Sequence, residues 1–236
     1  MTVPAVTNDA QATRTGTKGA RLSPDLRILV VDDHCVVRAG IETLLERQIG
    51  MKVVGSVASG EEAIRGARRL RPDVIIMDLV LPDFDGIDAT GRILSEFPFT
   101  RIIALSACRT LEHVRRAIRA GVQGYVLKAD AGDELVRAVN AAVAGQRYLS
   151  PAIAPLLNDG LLDPSLPKSP YESLSIRERQ VLRCVVSGAS SADIALTLSL
   201  SRKTIDTYRS RMMLKLGVAN RSALIRFAIE HEMTSV

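Results

Sequence analysis

The chain has 236 residues, 47% of them hydrophobic and 24% charged, which suits one large or two small globular domains. No stretch approaches the roughly 20 uninterrupted apolar residues of a membrane helix, which argues against a membrane protein. Residues 26–170 carry 18 basic and 18 acidic side chains, whereas residues 171–236 carry ten against six, so the basic end of the chain favours a polyanionic partner.

Residues 1–25 are small and polar and lack the apolar run of a secretory signal, so we predict a disordered leader. The three cysteines are Cys35, Cys108 and Cys184. Their odd number and wide separation argue against a disulfide framework. We therefore expect a protein of the reducing cytoplasm, without a membrane partner.

Short apolar runs alternate with longer segments of helical periodicity from residue 26 onward. The apolar runs are continuous, as in parallel strands that are buried on both faces. We predict strands at 26–31, 52–57, 73–77, 101–105 and 124–127, and helices at about 35–47, 60–70, 86–97, 110–120 and 131–145. This α/β pattern predicts a five-stranded, doubly wound parallel sheet in a domain of residues 26–146.

A proline-rich segment follows, and we predict a linker at residues 147–170 because prolines at this density prevent a continuous helix. The remainder, residues 171–236, is helical by pattern, with capping boxes beginning at Ser175 and Ser190. The second and third of its four helices, at about 191–198 and 202–216, are separated by three residues. We predict a small all-α domain with a helix-turn-helix.

Four predicted strands are followed by polar residues of definite types: Asp32 and Asp33, then Asp78, Ser106 and Lys128. Ligands of open parallel sheets bind at this edge. Three carboxylates crowded together need a hard divalent cation, and Mg²⁺ is the natural candidate. A lysine and a hydroxyl facing them suit a transferable phosphoryl group. Each residue alone has an ordinary explanation as a turn former, a helix cap or a solvated side chain.

Four segments carry a resemblance to a known family: Val31-Asp-Asp-His34, Met77–Gly86, Leu105-Ser-Ala107 and Gly124–Lys128. Together they resemble the receiver domain of response regulators over residues 26–146. The resemblance implies that Asp78 accepts a phosphoryl group from a sensor histidine kinase as an acyl phosphate. It also implies that Lys128 neutralises phosphate oxygens, while Ser106 swings toward the phosphate and Tyr125 follows inward as a switch.

The resemblance further implies a Mg²⁺ site, with Asp32 acting largely through water. Its ligands would be Asp32, Asp33, Asp78 and the backbone carbonyl of Val80. Val80 and Cys108 would tune the lifetime of the acyl phosphate. We interpret Cys108 as a passive small side chain rather than a redox sensor, and His34 as the start of the first helix rather than a metal ligand.

Two other interpretations of this domain are open to test. It could be a fixed dimerisation module, although the complete acceptor set argues against that. It could be an enzyme, but a dehalogenase-type phosphatase needs an aspartate where Val80 stands, and a nucleotide-dependent oxidoreductase needs a glycine-rich turn where Asp32-Asp33-His34 stand. We expect no enzymatic activity.

The third C-terminal helix carries five basic residues and one acid. Ile205, Met212 and Leu216 share the face that can dock on the core. The opposite face of a helix of this length fits a DNA major groove. The ordinary alternative is a solvated charged face.

The segments 174–182, 193–195, 200–205 and 215–218, together with Gly188, resemble the LuxR-type DNA-binding domain. With the receiver ahead of it, the chain resembles NarL/FixJ-type regulators. The resemblance implies phosphate contacts by Lys203, Thr204, Tyr208, Arg211 and Lys215. It implies base-edge contacts by Asp206, Thr207, Arg209 and Ser210. A carboxylate at 206 must accept from a cytosine amine or orient Arg209.

We therefore expect a two-component response regulator that controls transcription. Phosphorylation of Asp78 would weaken a contact between the two domains or favour a homodimer, and so free the third helix for double-stranded promoter DNA.

Overall fold

The computed structural model describes residues 25–83, 85–155 and 170–230. The predicted leader, except for Asp25, and most of the predicted linker lie outside these ranges. The sequence pattern predicts the fourth C-terminal helix at 221–231, and its last residue also lies outside them. Within the described residues, no helix is long and apolar enough to cross a membrane.

A parallel sheet forms the centre of the N-terminal domain, and its strands follow the spatial order β2-β1-β3-β4-β5-β6. The strands are β1 (Leu26–Val31), β2 (Met51–Val57), β3 (Val74–Asp78), β4 (Arg101–Ser106), β5 (Gly124–Leu127) and β6 (Tyr148–Leu149). The predicted α/β fold is confirmed. The first five strands lie within one residue of their predicted bounds.

Five helices cover the two faces of this sheet: α1 (Cys35–Glu46), α2 (Gly60–Leu70), α3 (Gly86–Glu96), α4 (Leu111–Ala120) and α5 (Ala131–Val143). Helices α1 and α5 pack on one face, against a cluster that includes Ile28 and Ile103. Helices α2, α3 and α4 pack on the other face, against a cluster that includes Leu29 and Ile75. The core strands are continuously apolar because each strand meets helices on both sides.

The sixth strand corrects the prediction of a five-stranded sheet. Tyr148 and Leu149 pair with Gly124 and Tyr125 of β5, in a segment that we predicted to be linker. Ile153, four residues later, is fully buried in the core of the N-terminal domain. A two-residue strand directly before Ser-Pro is too short to show strand periodicity, which is why the sequence pattern missed it.

The C-terminal domain consists of α6 (Ile176–Val186), α7 (Ser191–Leu198), α8 (Arg202–Leu216) and α9 (Arg221–Glu230) after a 3₁₀ turn at Pro170–Ser173. Both predicted capping boxes are present: Ser175 pairs with Glu178, and Ser190 pairs with Asp193. Buried side chains from all four helices form one core, which contains Val181, Ile194, Ile205, Met212 and Leu224. The caps set where each helix begins, and this core sets which face of α8 remains outside.

Candidate functional site

The strand register brings the predicted acidic residues to one edge of the sheet. Val31 pairs with Met77, so Asp32 and Asp78 follow at the same level on neighbouring strands. One ligand atom each of Asp32, Asp33, His34 and Asp78 lies within 4.8 Å of the others. Asp32 and Asp78 are buried, whereas Asp33 and His34 are exposed. The cluster therefore has a buried floor and a side that is open to solvent.

His34 lies closer to this cluster than we expected. Its Nδ1 is 2.7 Å from Oδ1 of Asp33 and 3.3 Å from Oδ1 of Asp32. Its backbone amide donates a hydrogen bond of 2.8 Å to the same Asp32 oxygen. His34 also forms the N-cap position of α1, as predicted from its place before the helix. The imidazole therefore lies beside the two carboxylates. The hydrogen bond from the His34 amide to Asp32 holds the start of α1 next to them.

Lys128 reaches the buried carboxylates from the end of β5. Its Nζ lies 2.7 Å from Oδ2 of Asp78 and 2.8 Å from Oδ2 of Asp32. Burial by itself lowers the pKa of Lys128, but the two carboxylates outweigh burial and hold that pKa above its ordinary value. Lys128 therefore remains a fixed positive charge between the two acids.

Burial has the opposite effect on the carboxyl group of Asp78, which is 1% exposed. Burial raises the pKa of Asp78 to about 6, although Lys128 and the amide of Val80 act against that rise. The positive charge of Lys128 therefore does not fully compensate the negative charge of an ionised Asp78 at this buried position. A donor set of three clustered carboxylates, one of them with a raised pKa, fits a hard divalent cation.

The segment after Asp78 is folded tightly against it. The Val80 amide donates to Oδ1 of Asp78 at 3.0 Å, and the Gly86 amide donates to the carbonyl of Leu79 at 3.0 Å. A Cβ atom at Gly86 would lie 2.1 Å from the carbonyl oxygen of Asp78. Only glycine fits at this position unless the backbone moves. A displacement of this segment would also move the backbone of Asp78.

The two predicted switch residues both contact the backbone of Cys108. Ser106 is buried at the end of β4, and its Oγ accepts a hydrogen bond of 3.1 Å from the Cys108 amide. Tyr125 is fully buried, and its hydroxyl donates to the Cys108 carbonyl at 2.7 Å. We expected the Tyr125 ring to move inward on phosphorylation, but in this conformation the ring already lies in the core of the receiver. The segment after β4 is the element that both side chains hold.

Helix α8 presents most of the predicted DNA-contacting side chains to solvent. Six of them are exposed: Lys203, Asp206, Thr207, Ser210, Arg211 and Lys215. The other three, Thr204, Tyr208 and Arg209, are half-buried, and Arg209 and Lys215 are engaged within the domain. The Arg209 guanidinium donates to Ser191 Oγ at 2.9 Å, and Lys215 lies 2.6 Å from the buried carboxylate of Glu178. The exposed set forms one basic face on the helix that follows the tight turn after α7.

Family comparisons agree with both halves of this architecture. The response regulator receiver domain family matches residues 28–140, and the family of bacterial regulatory proteins of the luxR type matches residues 172–228. Response regulator GacA of Pseudomonas viridiflava is 38% identical over 208 residues, covering 88% of this chain and 97% of that protein. Response regulator UvrY of Escherichia coli K12 is 36% identical over 206 residues, covering 87% of this chain and 94% of that protein.

The chain belongs to the NarL/FixJ family of response regulators. Among solved structures it is similar to RcsB of Salmonella enterica serovar Typhimurium bound to a promoter with the phosphomimetic BeF₃⁻. That match has 29% identity and a TM-score of 0.55, and covers 89% of this chain and all of that chain. The family is one of transcription regulators and not a class of enzymes, so the phosphatase and oxidoreductase alternatives are excluded.

The response regulator also has a contact between its domains that the sequence pattern did not reveal. The hydroxyl of Tyr171, in the DNA-binding domain, donates to Oδ2 of Asp85 in the receiver at 3.2 Å. Arg116 of α4 donates to the same carboxylate oxygen at 3.1 Å, and its guanidinium lies 4.2 Å from the centre of the Tyr171 ring. Asp85, Arg116 and Tyr171 are all buried. The receiver motif contains two aspartates without an assigned role in the acceptor chemistry, Asp83 and Asp85, and the sequence alone does not show which of them makes this contact.

Proposed function

We propose that Asp78 is the phospho-acceptor of this regulator and that a sensor histidine kinase supplies the phosphoryl group. The observation that carries the proposal is the position of Asp78. Its carboxylate is buried at the sheet edge, within 2.7 Å of Lys128 and in a cluster with Asp32 and Asp33. Asp32 and Asp33 come from a different strand end, so the fold concentrates the charge of three carboxylates beside one lysine.

In the proposed reaction an oxygen of Asp78 forms a bond to phosphorus while the phosphorus–nitrogen bond of the kinase's phosphohistidine breaks. The product is an acyl phosphate on Asp78. Lys128 is already placed to neutralise the phosphoryl oxygens. Ser106, one residue beyond the level of Asp78 on β4, is placed to bond the new phosphate once its hydroxyl leaves the Cys108 amide.

Asp32, Asp33 and Asp78 would hold a Mg²⁺ ion, and the carbonyl of Val80 would be a further ligand. When bound, the ion supplies positive charge at the transferring phosphoryl group. The donor set supports this proposal because carboxylate oxygens are preferred Mg²⁺ ligands, and because the raised pKa of Asp78 marks an incompletely compensated charge.

The proposed acceptor can be tested by incubating the full chain with acetyl phosphate and Mg²⁺ and locating the adduct by mass spectrometry. We expect one phosphoryl group on Asp78, which is lost on treatment with hydroxylamine and is not formed when EDTA removes the metal. The Asp78→Asn variant should remain unmodified, and the Asp133→Asn variant, changed at an exposed acid of α5, should be modified like the unaltered protein. An adduct that persists in Asp78→Asn would disprove the assignment.

We further propose that α8 reads promoter DNA in the cytoplasm and that phosphorylation acts on this binding through a homodimer. Lys203, Thr204, Tyr208, Arg211 and Lys215 would contact phosphates, while Asp206, Thr207, Arg209 and Ser210 would face base edges. The promoter-bound structure of RcsB supports this role, and so does the exposed basic face of α8. Two copies would bind two half-sites of related symmetry. Our predicted bounds are a receiver at 26–146, a linker at 147–170 and a DNA-binding domain at 171–236. Because β6 and Ile153 pack with the receiver, we propose that the receiver extends to about residue 153 and that the linker begins after it.

A further inference from the structure

The connection between β3 and α3 is a closed turn that directly follows the proposed acceptor. Val80 and Asp85 form an isolated antiparallel bridge across it, and the Gly86 amide donates to the Leu79 carbonyl at 3.0 Å. We call residues 79–83 and 85 the β3–α3 turn. The Val80 amide donates to Oδ1 of Asp78 at 3.0 Å. The turn therefore contains, in one residue, a donor to the acceptor and the carbonyl that is our proposed Mg²⁺ ligand.

Asp83, in this turn, binds a helix that contributes no residue to the acidic cluster. Its Oδ1 accepts a hydrogen bond of 2.9 Å from the Gly60 amide, and its Oδ2 accepts one of 3.1 Å from the Glu61 amide. Gly60 and Glu61 are the first two residues of α2. Amides at a helix start have no partner within the helix, and the helix dipole favours a negative charge there. We call these two hydrogen bonds the Asp83 tether.

Helix α2 has a cap of its own and does not need Asp83 in order to begin. Ser59 is the N-cap residue, and its Oγ accepts from the Glu62 amide at 3.2 Å. The Glu62 carboxylate accepts from the Ala58 amide at 2.9 Å. These contacts are local, whereas the hydrogen bond from Gly60 to Asp83 joins residues that are 23 apart in the sequence. The Asp83 tether therefore serves mainly to fix the turn, with the helix start as its anchor.

The opposite face of α2 is fixed in the core, which makes the helix a suitable anchor. Ala63 and Ala67 are 0% and 1% exposed and belong to the buried cluster that contains Leu29 of β1. A Cβ atom at Gly66 would lie 3.2 Å from a methyl carbon of the same leucine. A helix that is close-packed in this way moves little. The tether thus joins the turn to an element that packs on β1 rather than on the acceptor.

The outer part of the turn has little apolar contact of its own. Leu81 and Asp85 are buried, whereas Pro82 is exposed and Asp83 is half-buried. The backbone carbonyl of Asp83 also accepts from Gln180 of α6 at 2.8 Å, a contact that does not involve the Asp83 side chain. The position of the outer turn relative to the receiver core therefore depends on the two hydrogen bonds to α2.

We propose that Asp83 is a positioning residue for the divalent cation: by tethering the turn to α2 it holds the Val80 carbonyl in place, and so increases the affinity of the site for Mg²⁺. The physical reason is preorganisation, because a ligand atom that is already fixed loses less conformational entropy when the cation binds. This inference rests on the proposed role of Asp78 as acceptor and on the proposed Mg²⁺ ligands.

The metal affinity of the full-length protein can be measured with Mn²⁺, which takes the same oxygen ligands as Mg²⁺ and whose free concentration is read by electron paramagnetic resonance. We expect Asp83→Ala to bind Mn²⁺ several-fold more weakly than the unaltered protein. Asp83→Asn retains one acceptor oxygen, so its affinity should lie between the two.

Phosphorylation by acetyl phosphate at a series of Mg²⁺ concentrations gives a second measurement. Asp83→Ala should need a several-fold higher Mg²⁺ concentration for its half-maximal rate. Its rate at saturating Mg²⁺ should stay near that of the unaltered protein, because Asp78 and Lys128 are unchanged. A general loss of structure would instead lower the rate at every Mg²⁺ concentration.

Two matched variants separate the tether from its side effects. Ser59→Ala removes a hydrogen bond at the same helix start, and Glu61→Gln removes a negative charge there, on a side chain that is 70% exposed. Both keep the backbone amides that bind Asp83. We expect both variants to bind Mn²⁺ like the unaltered protein.

Unchanged Mn²⁺ affinity in Asp83→Ala would overturn the proposal, as would an equal loss of affinity in Ser59→Ala or Glu61→Gln. If circular dichroism shows that Asp83→Ala does not fold, Asp83→Asn decides, and an affinity equal to that of the unaltered protein overturns the proposal. Failure of the proposed metal site is distinguishable, because the unaltered protein would then show no Mn²⁺ binding that Asp33→Asn abolishes. If Asp78 is not the acceptor, even the unaltered protein forms no adduct there.

Discussion

The hydroxyl of Tyr171 and the guanidinium of Arg116 bind the same carboxylate oxygen of Asp85, at 3.2 and 3.1 Å, although the tyrosine and the aspartate belong to different domains. The three side chains are almost completely buried, so the carboxylate of Asp85 has lost its water and depends on these donors. The domain interface therefore has an ionised group at its centre, and its stability depends on that group remaining paired.

Replacing Arg116 with methionine should strongly destabilise the receiver, because Asp85 would stay buried without its nearest counter-charge. Breaking such a pair from one side costs about 3 kcal/mol. Urea denaturation followed by circular dichroism would measure the loss in free energy of unfolding. Arg65→Met is the matched control, since Arg65 is 66% exposed in a 3.7 Å surface pair with Glu61 and should change that free energy by less than about 1 kcal/mol. Similar effects of the two substitutions would contradict the structural role assigned to Asp85.

Two glycines of α3 should respond in opposite directions to alanine. A Cβ at Gly86 would lie 2.1 Å from the Asp78 carbonyl oxygen and 2.7 Å from the Leu79 Cα, so the backbone beside the acceptor must shift. We expect Gly86→Ala to lower stability and to reduce phosphorylation by acetyl phosphate severely. A Cβ at Gly91 has no heavy atom within 4 Å, so Gly91→Ala should raise the free energy of unfolding by about 0.5–1 kcal/mol through helix propensity and leave phosphorylation unchanged.

The sequence predicted four residues of the candidate phosphoryl site but not the requirement for glycine at position 86. Asp32, Asp78, Ser106 and Lys128 were found from the sequence because continuous apolar runs define parallel strands, and because the ends of such strands share one edge. The strand register then brought them together as expected. The requirement for glycine at position 86 depends on a close approach of two backbone segments, which has no periodic signature.

The interdomain contact was beyond sequence reasoning for a related reason. Tyr171 is the first residue after the predicted linker, and Arg116 is one of several arginines on α4, so neither residue type indicates a partner on the other domain. Their meeting depends on how two separately folded units dock. Residues 148–153 were assigned to the linker because a two-residue strand is too short to show strand periodicity and a proline follows it, so the sequence pattern does not predict its pairing with β5. Local pattern predicts elements and their ends, whereas docking is set by side chains that are far apart in sequence.

The buried carboxylate of Glu178 should stabilise the DNA-binding domain in a pH-dependent manner. Burial favours a higher pKa, but hydrogen bonds from Lys215 and from Ser175 prevail and lower the pKa of Glu178 below its ordinary value. A lowered pKa gives stability that is present above the ordinary pKa of about 4.3 for glutamate and is lost as pH falls through the lowered value. Glu178→Gln should therefore cost about 1–3 kcal/mol at neutral pH. That cost should shrink as the medium is made more acidic than the ordinary glutamate pKa.

The measurement for Glu178 is urea denaturation at neutral and acidic pH, beside Glu46→Gln as an exposed control on α1. The control should show little effect at either pH. A Glu178→Gln deficit that stays constant across the acid range would mean that packing, rather than the charge, provides the stabilisation.

The exposed basic face of α8 predicts how DNA affinity depends on salt. Each protein cation that neutralises a DNA phosphate releases a counterion, so the slope of log affinity against log salt becomes steeper by about 0.9 per contact. Arg211 is exposed on this face, and Arg177 is an exposed arginine of α6 outside it. We expect Arg211→Ala to weaken binding to every sequence by a similar factor and to reduce the slope by about one per monomer bound. Arg177→Ala should preserve both affinity and slope. Gel-shift titrations on a half-site and on an unrelated duplex, each at several salt concentrations, provide both quantities. A loss of affinity confined to the half-site, with an unchanged slope, would instead identify Arg211 as a base-reading residue and shift the phosphate contacts to its neighbours on α8.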